Sequence, residues 1–151
     1  MPAPLFTIGY EQVSSAAVLD TLSAAGVELL VDVRAVAASR RAGFSKSHLA
    51  AGVAGRAIGY LHLRGLGTPA EGRQAARAGH YDELRRIYDL HLATPTAREQ
   101  LDELTELVRN GRRVCLLCFE RHPEHCHRQM IADLICERVD VPVEHLLAPP
   151  V

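Results

Sequence analysis

No stretch of this 151-residue chain stays apolar for long. The longest strongly apolar run, VCLLCF at 114–119, is far short of the ~20 residues that a membrane-spanning helix needs. The opening MPAPLFTIGY has neither the basic start nor the long apolar stretch of a signal peptide, so a cytoplasmic protein is expected. Four cysteines are too few for a disulfide scaffold. Cys115 and Cys118 sit inside an apolar run, as reduced buried thiols do, and free thiols are expected. There is no internal repeat and no low-complexity segment. With 48% hydrophobic and 23% charged residues, the composition is that of a globular protein, and the length suits one domain over residues 1–151.

Strong net charge is also missing, but the value of −1 conceals an asymmetry. Residues 34–77 hold eight basic groups (Arg34, Arg40, Arg41, Lys46, Arg56, Arg64, Arg73 and Arg77) against Glu71 alone, leaving the rest of the chain at −8. One reading is a solvated basic face. The other is an anionic partner, whether phosphate, nucleotide or nucleic acid.

Five short apolar runs alternate with helical patterns. Strands are expected at 5–8, 28–34, 59–63, 113–119 and 143–147. Helices are expected at 14–26, with serine caps at its start and Gly26 as its stop, and at 45–57 from Ser45. Residues 64–112 form a 49-residue connection that opens as the loop RGLGTPAEGR and continues as helices at 81–93 and 96–109. The second of these has Thr96 and Glu99 at capping-box spacing. A last helix spans 123–139, with Pro123 in its first turn and His122 near its cap. Alternating strands and helices predict an α/β, Rossmann-like three-layer sandwich with about five parallel strands. Right-handed crossovers and the long return connection suggest the order 3-2-1-4-5, with a crevice at the carboxyl ends of strands one and four.

That crevice would gather the residues able to do chemistry. Strand one ends at Gly9 and Tyr10. Strand two delivers Asp32, Arg34, Ser39 and Arg40. Strand four ends at Cys118 and Glu120, and the last helix brings Cys126, His127 and Arg128. On that helix Cys126, Met130 and Leu134 share one ridge, and His127, Ile131 and Ile135 the next. Three chemistries compete with plain core filling. Cys118, Cys126 and His127 supply three of about four zinc ligands, but no paired C-x-x-C set exists, because Cys115 and Cys118 point to opposite faces of a strand. No metal and no cofactor are therefore expected. HPE at 122–124 fits half of a zinc deaminase signature and lacks the other half. C-x5-R from Cys115 to Arg121 encloses bulky LLCFE, with no glycine to form a phosphate cradle.

A thiol near His127, Arg128 and a helix start would be acidified, making Cys118 or Cys126 a nucleophile. Alternatively, Glu120, His127 and Asp32 would serve in acid–base roles while Arg34, Arg40 and Arg128 fork onto phosphate oxygens. The bland account is that Glu120 and Asp32 merely bridge to these arginines. In SRRAGFSK, Phe44 could stack a base among basic groups that include Lys46, the basis for a non-catalytic nucleic-acid-binding module. These residues alone leave an enzyme and a binding module both open.

TIGY, LLVDVRAVAASR, FSK, YLHLRGLG and above all LLCFERHPEHCHR resemble the domain-of-unknown-function 488 family of bacteria and archaea. The resemblance spans nearly the whole chain. It implies a small cytoplasmic α/β protein and marks Arg34, Ser39, Arg40, Cys118, Glu120, Cys126, His127 and Arg128 as pattern positions. Ala35 and Ala37 stand where the family often has serine and proline, and His122 where an aspartate is common. Those departures imply a less rigid loop after strand two and a weaker cap on the last helix.

Overall fold

A computed structural model describes residues 3–123 and 126–150. Its centre is β4 (Val114–Cys118), buried at every position, as the unbroken apolar run VCLLC requires of a parallel strand covered on both faces. Beside it lie β1 (Leu5–Gly9) and β2 (Leu29–Asp32), also buried throughout. The half-exposed β3 (Gly59–His62) and β5 (Val143–Leu146) form the edges. All neighbours pair in parallel, and the order is β3-β2-β4-β1-β5.

The α/β sandwich is as expected, but β4 enters between β1 and β2 instead of lying outside β1. The long connection reaches either place, so its length does not discriminate. Burial does, because the strand that is apolar on both faces takes the most enclosed position. The register pairs Gly9 with Cys118 and Asp32 with Leu117. The end of β4 is therefore flanked by the ends of both β1 and β2.

Two cores hold the layers together. On one face α1 (Ser15–Ala24) and α2 (Lys46–Ala54) bring Val18, Leu22, Leu49 and Val53 onto Phe6, Ile8, Leu30, Cys115 and Leu117. On the other face α4 (Tyr81–Leu92), α5 (Pro95–Arg109) and α6 (His127–Arg138) cover Val31, Val114, Leu116 and Cys118 with Tyr88, Leu104, Ile131 and Ile135. Cys115 and Cys118 thus face opposite cores, as their spacing demands. Each fully buried leucine contributes about 1.5–3 kcal/mol of transfer free energy.

Local signals explain most helix boundaries. Ser14 Oγ accepts from the Ala17 N–H at 3.1 Å, and Ser45 precedes α2. At α5 the cap is Thr94, with Pro95 in the first turn. The Thr96–Glu99 capping box does not form, because proline at the first helical position fixes the start two residues earlier. The segment after β3 is not only a loop. It makes a 3-10 turn at Arg64–Leu66 and a further helix, α3 (Ala70–Arg77). α6 begins at His127 with Cys126 as its N-cap, later than Pro123. Residues 124–125 of the expected 123–139 helix, the last residue of HPE among them, lie outside the described residues. Within α6 the buried positions are His127, Ile131 and Ile135 together with Arg128 and Ala132, so the ridge through Met130 and Leu134 is only partly covered. Among the described residues, no helix is long and apolar enough to cross a membrane.

Candidate functional site

The end of β2 is a closed network. Asp32 is fully buried, and its Oδ1 accepts from the Arg34 backbone N–H at 3.1 Å and from Arg34 Nε at 2.8 Å. Its Oδ2 accepts from Arg34 Nη2 at 2.6 Å and from the Tyr60 hydroxyl. Arg34 Nη1 donates to the Phe44 carbonyl at 2.7 Å and the Tyr10 hydroxyl at 3.3 Å. Burial pulls the Arg34 pKa down, but the hydrogen bonds and charge of Asp32 outweigh it, and the guanidinium is held above its ordinary range. Burial and the bond to Asp32 likewise push the Tyr60 hydroxyl up. Phe44 is buried and stacks on Tyr10 with ring centroids 4.5 Å apart. Arg41 covers both rings and donates to the carbonyls of Tyr10 and Val13.

The end of β4 is built differently. After Cys118 the chain turns under Gly9, where any Cβ would overlap the Glu120 carbonyl, so the close approach needs glycine. Arg128, fully buried on α6, donates to the carbonyls of Glu120 and Arg121 and to Cys118 Sγ at 3.0 Å. It anchors the turn. Cys118 and Cys126 are joined as a disulfide, with Cα atoms 7.5 Å apart. The expectation of free thiols therefore holds only for Cys115 and Cys136. That Cys126 and His127 would meet the end of β4 was expected; the bond between Cys118 and Cys126 was not.

His127 Nε2 lies 2.7 Å from the Val33 carbonyl. A carbonyl only accepts, so Nε2 carries the proton and Nδ1 is left facing Cys126 Sγ at 3.6 Å. Burial is the main cause that lowers the His127 pKa to about 4, and the nearby Arg128 charge adds to it against the opposing Val33 bond. The imidazole is neutral at pH 7 and offers a lone pair, not a proton, at Nδ1. Tyr88 packs edge-on against it at 5.3 Å.

A cavity of about 310 Å³ opens above these groups. Tyr10, Arg34, Cys118, Glu120, Cys126 and His127 line it together with Thr68, Arg73, Arg77, Leu84 and the half-exposed Phe119, whose ring stands edge-on to Tyr10. A second hollow of about 450 Å³ adjoins it through Ala35, Val36, Thr68 and Arg73 and adds Arg64, His91 and Gln100. Gly67 lets the segments that follow β2 and β3 pack together, since a Cβ there would overlap the Ala35 backbone.

The structure therefore brings together six of the expected site residues and leaves the others elsewhere. Asp32 is enclosed, with both oxygens bonded, and is not placed to shuttle protons. Arg34 reaches the cavity wall but spends most of its N–H groups inside the protein. Arg128 is an internal anchor and Gly9 a close-approach position. Phe44 is in the core and not available to a nucleobase. Ser39 Oγ accepts from the Arg41 N–H at 3.1 Å, while Arg40 and Lys46 are exposed away from the cavity lining.

The residues missed are Thr68, Arg73, Arg77 and Tyr88. Arg73 and Arg77 stand one turn apart on α3, and that i, i+4 spacing after Pro69 was the available signal. Arg73 Nη1 donates to the Thr68 carbonyl at 2.8 Å. Among the described residues Arg77 makes no ion pair.

The family described as "Domain of unknown function DUF488" matches residues 14–135. No curated protein and no solved structure matches the chain.

Proposed function

Because the chain belongs to the domain of unknown function 488 family, whose description carries no activity, we propose a function from the site itself: the protein binds a phosphate-bearing ligand, a nucleotide, at the carboxyl ends of β2 and β4. The observation that carries this reading is the pair Arg73 and Arg77, one turn apart on α3, both lining the cavity. Guanidinium forks suit phosphate oxygens. The main cavity and its adjoining hollow together have the volume of a small-molecule site, with the phosphate end at α3. Phe119 and Leu84 give the apolar surface that a base or ribose can cover.

Chemistry on that ligand would fall to His127 and Glu120. A neutral His127 accepts a proton at Nδ1, and Glu120 at the cavity wall is the partner for the opposite transfer. The protein then works as one domain in the cytoplasm. The alternative of a nucleic-acid-binding module keeps Arg40, Lys46 and Arg64 as exposed cations. It loses the stacking platform, since Phe44 is buried.

A thiol-dependent enzyme is favoured by a specific observation: both sulfurs line the cavity, and Arg128 donates to Cys118 Sγ. In a reducing compartment that pair is a dithiol.

Isothermal titration with inorganic phosphate, nucleoside mono- and diphosphates and a short single-stranded oligonucleotide separates the readings. Saturable nucleotide binding is expected, weakened by about tenfold or more in Arg77→Ala, since a charged hydrogen bond contributes ~1.5–3 kcal/mol. Binding of the oligonucleotide alone would move the account to the nucleic-acid module.

A further inference from the structure

Cys118 Sγ, Cys126 Sγ and the His127 ring nitrogen all lie within 4.8 Å of one another, and all three residues are buried. We propose that in the dithiol state these three side chains bind one zinc ion, with its fourth position open to the cavity. Two thiolates and one imidazole form a donor set used by zinc sites that keep a place for water or substrate. The lack of a fourth protein ligand, which counts against a structural site, is what an open site requires.

The surroundings fit ligands more than a bare sulfur pair. A metal-bound imidazole gives its second nitrogen to an acceptor that fixes the ring. Here Nε2–H donates to the Val33 carbonyl, and Nδ1 is turned toward Cys126 Sγ. Arg128 donates to Cys118 Sγ at 3.0 Å, a bond that stabilises a thiolate. Cys126 is the N-cap of α6, where the helix start also favours thiolate over thiol. The Cα atoms of the two cysteines are 7.5 Å apart, wider than bridged cysteines usually sit, so the reduced sulfurs have room to part around an ion. All three ligand residues line the cavity with Glu120, so whatever occupies the cavity meets the open position.

The site is an alternative both to the disulfide and to proton acceptance at His127 Nδ1, whose lone pair holds the ion. Two thiolates that hold an ion cannot also share a bond, and an oxidant that takes two electrons from the pair must expel the metal. Only the identity of the fourth ligand rests on the anion reading given above.

The test uses the full chain, reduced under argon and stripped with a chelator, then titrated with Co(II) as a spectroscopic stand-in for zinc. Expected are thiolate-to-cobalt charge-transfer absorption and tetrahedral ligand-field bands that saturate at about one Co(II) per chain and vanish when Zn(II) displaces it. Cys126→Ser should lose at least half of the charge-transfer intensity, and Cys136→Ser should retain it. Treatment of the wild type with a diazene, which takes two hydrogens from the dithiol to give the disulfide and a hydrazine, should abolish binding, and a reductant should restore it. This arm needs no variant to fold. No thiolate band in the reduced wild type, or an undiminished band in Cys126→Ser, would overturn the site. Inorganic phosphate should alter the ligand-field bands. Failure of that response counts against the anion reading alone, and absence of the thiolate band counts against the metal site alone.

Discussion

The carboxyl ends of β2 and β4 lie side by side, yet one is closed and the other is open. At β2 the charges of Asp32 and Arg34 satisfy each other, with Tyr60, Tyr10 and Phe44 taking up further capacity. At β4 the two cysteines and His127, with Arg73 and Arg77 of α3, line a cavity. A charge serves a ligand only if the fold has not already used it. Buried polar groups must be paired, so arginines drawn inside become struts while those left at a cavity wall remain available.

Breaking the closed region should have the largest effect. Asp32→Ala leaves the Arg34 guanidinium buried without its carboxylate, and removing one partner of such a pair costs about 3–5 kcal/mol. Urea denaturation should show a clear loss of midpoint at unchanged slope. A change within about 0.5 kcal/mol would mean that water reaches Arg34 and that the network is not closed.

The next effect sharpens the open region. In the disulfide form His127 is held neutral down to about pH 4, whereas an unfolded imidazole protonates near 6.5. Above about pH 6.5 both states are neutral and the full stability is present. As pH falls from about 6.5 toward 4 the unfolded chain binds a proton that the folded chain refuses, so stability declines, by roughly 3 kcal/mol over the window. Below about pH 4 this contribution stops changing. His127→Gln should lack that part of the pH slope, and an identical slope in the variant would show the imidazole to be solvated.

A smaller effect is expected where the two regions are held together. Gly9→Ala places a methyl on the Glu120 carbonyl and must push the turn after β4 aside, at about 1–3 kcal/mol. Full stability in this variant would show that the turn is free to move. The smallest effect belongs to Arg77→Ala. With no ion pair to lose among the described residues, it should leave stability within about 0.5 kcal/mol while weakening the ligand, the reverse of Asp32→Ala.

Much of this contrast could not be read from residue order. The strands and most helices were legible because their apolar periods and caps are local, as at Ser14 and the VCLLC run. The place of β4 was not, since it depends on which strand gains most from two-sided cover. The triad Cys118, Cys126 and His127 could be singled out because the residues crowd within ten positions. Its closure could not, because the turn depends on the close approach that Gly9 allows and on Arg128 bracing it from α6. Counting cations at 34–77 found the basic region but not its division. Arg34 and Arg41 turn inward to Asp32 and to backbone carbonyls, Arg56 pairs with Asp20, and Arg73 and Arg77 reach the cavity on a helix that begins inside the expected loop at 64–73 and runs on to Arg77.

The most direct test of the open region is the rise in melting temperature that inorganic phosphate and a nucleoside diphosphate give to four proteins: the wild type, Arg73→Ala/Arg77→Ala, Arg40→Ala and Lys46→Ala. A ligand that binds only the folded state stabilises by RT ln(1 + [L]/Kd), so the shift reports occupancy without a known activity. The account predicts a concentration-dependent rise in the wild type, kept in Arg40→Ala and Lys46→Ala and lost in the double variant. A rise that survives in the double variant and disappears in Lys46→Ala would place the anion at the exposed start of α2 and contradict it.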